Sequence, residues 1–525
     1  MQDWITDNHD TFHQALRTAT ELHAEEFMTC TTCEQQPWFS FFFDGTGNNR
    51  ILDKPKQKMS NIALLFEGHV GDDAPLVVPL YYAGVGTPLD VSDPSWWEKL
   101  RDSEALGGGV ALGSDVRLVK AEADFCQSLK ANHKVSRIDV AVFGFSRGAA
   151  LARAFVNRLL KKCEMKDGVP CWPCATALDG QSAPLHFRFL GLFDTVESVG
   201  LPALNLNSSM LMHVPVQVER CFHIAAGHEL RACFPLTPVR NGSASCEQLV
   251  WPGVHSDIGG GYRPGEQGRS DQLARIALNR MRLEGAMSGV PFTAPSLARK
   301  DVHDLFEYDE DVKTLSDGYR GVVGIGGTLE AQVFAHMRLY YGWLKVRYGQ
   351  NPSDLYKNVC STDPEVNAQL QRIQQYHERL KIDADTMNWR SYLTNLWKND
   401  RSEYERTIAT AGGQREMNKP LSDEEAAYWE AWLNPPTLSP GLVRLFDQYV
   451  HDSRAGFLRI DSSGYFRPRQ IIEPSGTPKT IAQPVAAPQL PEVDEDRHAA
   501  ARRRIHDVHD LRAAAVVQLL LRRHG

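Results

Sequence analysis

Apolar residues fall along this chain in two rhythms. From Trp38 to Phe43 the run is almost unbroken and strongly aromatic, the pattern of a strand buried on both faces of a sheet. Pro75 to Ala83, Ile138 to Phe143, His186 to Phe193 and Gln248 to Trp251 read as further strands. Between them the period lengthens. Residues 115–130 place Val116, Val119, Ala123 and Cys126 at helical spacing, with Ser114 or Asp115 as N-cap. A second helix is predicted from Ala149 to about Lys162, and a third from near Asp271 past Arg280. Strands alternating with helices predict a mostly parallel sheet covered by helices on its faces.

Beyond residue 295 long helical patterns dominate and tryptophans accumulate at positions 343, 389, 397, 429 and 432. The predicted division is a helical lead-in over residues 1–36, an α/β catalytic domain over 37–290, and a mainly helical accessory region over 291–470. A proline-rich linker follows over 471–494, then a basic helix over 495–525. Most tryptophans at helical spacing are expected in a core. Tryptophan and arginine on amphipathic helices also suit a membrane interface, so the accessory region is a candidate for membrane engagement.

Composition narrows the classes. The 525 residues are 42% hydrophobic and 23% charged, enough to bury a large core. A net charge of -8 argues against general nucleic-acid binding. Residues 1–30 carry Asp3, Asp7, Asp10, Glu21, Glu25 and Glu26 and no long apolar stretch, so a cleaved signal peptide is not expected. No apolar run is long enough to cross a bilayer. Synthesis in a cytosol is expected. The pairs Cys30/Cys33 and Cys171/Cys174 lie too far apart in the chain for a zinc ribbon. They are expected as thiols in a reducing cytosol, or as disulfides formed after delivery to an oxidising space.

The candidate chemistry centres on Gly144-Phe145-Ser146-Arg147-Gly148, which fits a G-x-S-x-G nucleophile elbow between a strand and a helix. A serine on that bend presents its hydroxyl at the rim of the sheet, while the bland reading is a turn whose serine caps the helix. Acyl transfer further needs a base, an acid behind it, and donors for the oxyanion. Asp194 ends the strand 186–193 and fits the acid, although an aspartate there also forms turns. His255, in a glycine-flanked loop after the strand 248–251, fits the base. His451 is the rival base and His228, read as helical, a weaker one. The backbone N–H of Arg147 and one from Asp44-Gly45-Thr46, assigned to Gly45, are the expected oxyanion donors. The loop Asp44-Gly45-Thr46-Gly47 lacks the Lys-Ser/Thr of a phosphate-binding P-loop. Asp257 alone is poor evidence for calcium. No metal and no cofactor are expected.

Four motifs occur in one order: Phe43-Asp44-Gly45-Thr46-Gly47-Asn48-Asn49, the elbow continued to Ala149, Leu192-Phe193-Asp194-Thr195-Val196, and Trp251-Pro252-Gly253-Val254-His255-Ser256-Asp257-Ile258-Gly259-Gly260-Gly261-Tyr262. Over roughly residues 38–285 the chain resembles the widespread α/β-hydrolase domain family that includes the first class of type VI secretion lipase effectors. Val450-His451-Asp452-Ser453-Arg454-Ala455-Gly456-Phe457 also resembles a segment of the secreted antibacterial members. The resemblance implies an α/β-hydrolase fold and a phospholipase A, cutting acyl esters of glycerophospholipid in the periplasm of a target bacterium. It implies a triad on Ser146, Asp194 and His255. It also implies carriage on a VgrG-type spike protein and a cognate immunity protein in the producing cell. Two other readings stay open: a cytosolic serine esterase acting on small acyl esters, and a binding module that kept the fold and lost catalysis.

Overall fold

The computed structural model describes residues 34–71, 74, 76–88, 109–197, 211–239, 246–293, 298–324, 326–348, 363–411, 418–454 and 464–474. All of them belong to one compact unit. The N-terminal lead-in up to residue 33, Cys30 and Cys33, the linker after residue 474 and the basic C-terminal segment lie outside the described residues.

The backbone of the domain is a sheet with strands in the order β2-β1-β3-β6-β7-β8. These are β1 (Trp38–Phe43), β2 (Val77–Tyr82), β3 (Ile138–Phe145), β6 (Ser182–Phe193), β7 (Cys221–Ala226) and β8 (Cys246–Trp251), all mutually parallel. A short hairpin of β4 (Glu164–Lys166) and β5 (Val169–Pro173) pairs antiparallel with the first residues of β6. The hairpin and β7 are strands the hydrophobic pattern did not reveal. β7 is six residues long with every position buried, too short for periodicity to separate it from a buried helical segment.

Strand alternation explains the layers. Phe39, Phe41 and Phe43 of β1 point to one face, against α2 (Gly109–Leu129) and α3 (Arg147–Lys162); Trp38 and Phe42 point to the other, against α1 (Asn61–Glu67) and α5 (Gln272–Met287). Phe41 meets Phe155 of α3 at 4.5 Å between ring centroids, and Phe42 stacks on Phe143 of β3 at 5.0 Å. The polar Ser40 is tolerated on the second face because its hydroxyl binds His69 Nε2 (2.8 Å) and accepts from Trp38 Nε1 (3.0 Å).

Helix α2 corrects the sequence reading. It already runs from Gly109, so Ser114 and Asp115 lie inside it rather than at its N-cap. Its buried stripe is Leu118, Ala121, Phe125 and Leu129, while Val116 and Val119 are half exposed. Both stripes have helical spacing; the sheet takes the one carrying Phe125, which packs edge-on against Phe39 at 4.9 Å.

The accessory helices include α6 (Glu310–Val323), α7 (Leu329–Tyr348), α8 (Pro364–Asn399), α9 (Asp423–Leu433) and α10 (Pro440–Gln448). Trp343, Trp429 and Trp432 are buried in a common core with Tyr341, Phe446 and Phe466. Trp397 is partly exposed, at 41%. Among the described residues no helix is long and apolar enough to cross a membrane. Ile471, assigned to the linker, instead forms a β-bridge with Leu236, so the chain stays docked on the α/β domain through residue 474.

Phe143 sits fully buried between Phe42, Phe189 and Phe292. Phe143→Ala is expected to cost about 3–5 kcal/mol, read as a lower urea midpoint at unchanged slope. An unchanged midpoint would show that this face of the sheet is not under packing constraint.

Candidate active site

The sheet order reverses between β1, which leads outward to β2, and β3, which leads the other way to β6. A crevice opens at the carboxyl ends of strands at such a switch point, where parallel α/β sheets take their ligands. The loop after β1 carries Asp44-Gly45-Thr46, and the turn after β3 carries Ser146.

Ser146 has φ 58 and ψ -124, a strained backbone for a residue with a side chain. It caps no helix through its hydroxyl, contrary to the bland reading of the motif. Neighbouring glycines make the bend possible by close approach. A Cβ on Gly148 would lie 2.2 Å from Phe43 O and 2.4 Å from Asp44 O; one on Gly144 would lie 2.4 Å from Gly148 O. The bend is also pinned by backbone bonds, Ser146 N to Phe193 O (3.0 Å) and Val196 N to Ser146 O (3.2 Å), which tie the elbow to the strand end bearing Asp194.

His255 opens a short helix, α4 (His255–Gly259), rather than a loop. Asp257 makes that turn by accepting from Val254 N (3.0 Å). Gly259 is required because any Cβ there would strike the Phe145 ring at 1.9 Å. The His255 ring consequently lies 4.6 Å from the Phe145 ring, beside the elbow. Its Nδ1 is hydrogen-bonded to Asp194 Oδ2 at 2.5 Å, which leaves Nε2 as the nitrogen available for proton transfer. Among the described residues no hydrogen bond joins Ser146 Oγ to His255; such contacts commonly tighten only around substrate.

Asp194 has no solvent exposure and φ 39. Its carboxylate accepts from Ala226 N (2.8 Å) and from both terminal nitrogens of Arg469 (2.8 Å each), besides His255. Burial alone would push this carboxyl up. The adjacent Arg469 charge and the His255 hydrogen bond outweigh it and hold the group well below the usual carboxylate range. Burial lowers His255 below its ordinary value, with the Asp194 hydrogen bond opposing the shift. Arg469 carried no signal in the sequence: an arginine beside a proline, 275 residues from its partner.

The rival histidines lie elsewhere. His451 binds Asp257, not Asp194, with Nδ1 2.6 Å from Oδ1 and its backbone N 3.0 Å from Oδ2. That contact engages both oxygens of the Asp257 carboxylate. His228 sits in a bend after β7, not on a helix; its Nδ1 accepts from Gly253 N (2.9 Å) and its Nε2 meets Tyr319 Oη (3.0 Å).

The loop after β1, expected to offer an oxyanion donor at Gly45, offers it elsewhere. The Gly45 N–H donates to its neighbour Asp44 Oδ1 at 2.7 Å and is therefore occupied. The N–H groups of Thr46 and Arg147 have no acceptor among the described residues, and Arg147 Nε binds Thr46 Oγ1, joining the two loops. Asp44 organises this corner: Ser60 Oγ and Tyr81 Oη donate to it at 2.5 Å each. Burial pushes its carboxyl up to about 6 despite those donors.

Every cysteine of the described residues is a free thiol, Cys171 and Cys174 included. The candidate metal cluster there, His303, Asp304 and Glu307, is largely exposed, and Lys300 already binds Asp304 at 2.8 Å.

Residues 39–167 and 174–284 match the model of the type VI secretion phospholipase effector Tle1-like catalytic domain. Over those residues the chain is similar to a Tle1-like catalytic domain. The candidate site lies inside the matched residues except for Arg469, which comes from beyond them. An uncharacterized protein from Pseudomonas aeruginosa has a similar structure, with 21% identity and a TM-score of 0.59 over 89% of this chain and 82% of that one. The Tle1 effector bound to the VgrG spike from the Type 6 secretion system overlaps less well, with 18% identity and a TM-score of 0.40 over 58% and 84%. No curated protein matches the chain.

Burial holds the half-protonation point of the His255 imidazole below its ordinary value, against the opposing pull of Asp194. Labelling of Ser146 by a fluorophosphonate is therefore expected to fall on acidification with a midpoint below the ordinary histidine value of about 6.5. A midpoint above pH 6.5 would mean that Asp194, not burial, dominates the imidazole.

Proposed function

We propose that this chain is an antibacterial type VI effector with an α/β-hydrolase fold, a serine phospholipase A that cleaves acyl esters of target-cell glycerophospholipid through Ser146, His255 and Asp194. The observation that carries the reading is the His255–Asp194 hydrogen bond beside a strained serine elbow at the sheet's switch point. The match to a Tle1-like catalytic domain supports the lipid substrate and the secretion route.

Ser146 Oγ attacks the ester carbonyl while His255 Nε2 takes its proton. The tetrahedral oxyanion is received by the N–H groups of Arg147 and Thr46. His255 then protonates the departing lysophospholipid oxygen, leaving an acyl-enzyme. Water enters by the same route in reverse: His255 takes its proton, the hydroxide attacks the acyl carbon, and fatty acid leaves as Ser146 is regenerated. Asp194 keeps the Nδ1–H tautomer and stabilises the imidazolium formed in each half. A VgrG-type spike is the proposed carrier, a cognate immunity protein the protection of the producer, and the target-cell periplasm the place of action.

Purified protein is expected to release fatty acid from phosphatidylethanolamine–phosphatidylglycerol vesicles. Ser146→Ala or His255→Ala should lower that rate by about 10⁴-fold or more, with His451→Ala retaining far more activity. Turnover confined to short soluble esters would favour the cytosolic esterase instead. Loss with His451→Ala but not His255→Ala would move the base to the other dyad.

A further inference from the structure

We propose that Arg469 is a positioning residue that fixes Asp194 behind His255, so that the acid of the triad is completed by a segment from beyond the Tle1-like catalytic domain. The inference rests on the serine-hydrolase reading above.

Arg469 is itself buried, and its guanidinium makes four directed bonds. Both terminal nitrogens reach the two Asp194 oxygens at 2.8 Å; Nη1 also donates to Ala226 O (2.9 Å) and Nε to Phe234 O (3.1 Å). A planar fork on a carboxylate sets its rotation as well as its charge. Here it leaves one Asp194 oxygen in the line of His255 Nδ1. The Nε bond bears on the same centre from another side, because the Phe234 ring packs edge-on against His255 at 4.8 Å.

The segment that brings Arg469 is held at both ends. Tyr465 and Phe466 are buried in the accessory core, where Tyr341 Oη donates to Tyr465 O (3.0 Å). Three residues later Arg469 reaches Asp194. Gln470 O then accepts from Leu236 N (2.8 Å), and Ile472 N donates to Leu236 O (2.9 Å). The accessory helices and the catalytic acid thus share one short, doubly pinned stretch of chain. Folding of the accessory core is thereby coupled to assembly of the triad.

Other charged or titratable groups around this centre do not replace Arg469. His223 of β7 accepts from Thr195 N through Nε2 (3.1 Å), and burial lowers it to about 4, so it is neutral. Glu229 and Arg231 pair with each other at 2.9 Å, and Glu229 accepts from His255 N (3.2 Å). Without Arg469 the Asp194 carboxylate would keep only Ala226 N–H and His255.

Removing the guanidinium lets Asp194 protonate at higher pH. While Asp194 stays charged, removal of the nearby cation also makes His255 more basic. Both changes carry the acidic limb of kcat/KM upward. A purely structural role for Arg469 would lower the amount of folded enzyme and leave that limb where it is.

The test uses the full chain and vesicles of phosphatidylethanolamine and phosphatidylglycerol, comparing wild type with Arg469→Gln, Arg469→Lys and the exposed control Arg467→Ala. Arg469→Gln is expected to lower kcat roughly 100-fold at little change in KM and to raise the acidic limb by about one pH unit. Arg469→Lys, which keeps the charge but not the fork, should retain the wild-type limb with kcat reduced about 10-fold. Arg467→Ala should match wild type. Melting temperatures identify folded variants, and the lysine variant carries the test if Arg469→Gln does not fold. Wild-type kcat in folded Arg469→Lys, or an unmoved acidic limb in folded Arg469→Gln, would overturn the proposal. Full activity in Ser146→Ala would instead overturn the serine-hydrolase reading itself.

Discussion

A carboxylate with no access to water must be compensated by its neighbours or be neutral. Asp194 is that carboxylate, and its compensation draws together parts of the chain that are far apart in sequence. The amide of Ala226 comes from the end of β7, the imidazole of His255 from the helical turn after β8, and the guanidinium of Arg469 from the docked C-terminal segment. Breaking one contact leaves a buried charge less satisfied, so the three elements are held in register with one another. The Tle1-like domain and the accessory region meet at the acid on which the proposed chemistry relies.

The second constraint is steric. At the rim of the sheet the chain passes itself at distances no side chain permits. A Cβ on Gly84 would fall 1.7 Å from Gly45 O, and one on Gly148 would fall 2.2 Å from Phe43 O. These approaches bring the loops after β1, β2 and β3 together and leave the unpaired N–H groups of Thr46 and Arg147 on the first and the last of them. The strained Ser146 backbone persists because these contacts and the bonds to Phe193 and Val196 over-determine it. Asp44 adds a buried polar knot with Ser60 and Tyr81 that spends the Gly45 N–H and so moves the free donor one residue on.

The accessory region contributes order as well as surface. Its tryptophans at 343, 429 and 432 are interior residues that build a core of their own. That core carries Tyr465 and Phe466, and through them the segment ending in Arg469. A region whose sequence suggested contact with lipid also serves, in the fold, to hold a catalytic-domain side chain in place.

The strands around the elbow, the elbow, and the order of serine, aspartate and histidine were legible in the sequence alone. Local chemistry dictates them: unbroken apolar runs specify buried parallel strands, and only glycine fits where backbones cross. The pairing of Asp194 with His255 could be anticipated because both follow strand ends. Three things belonged to tertiary structure. Helix α2 offered two apolar stripes of equal period, and only the shape of the sheet chose the one with Phe125. The two histidine–aspartate pairs, His255 with Asp194 and His451 with Asp257, are equivalent as residue types, and only the packing of α4 brings one of them against Phe145, the residue before Ser146. Arg469 had no motif around it, because a single guanidinium gains its meaning from the carboxylate that the fold brings to it.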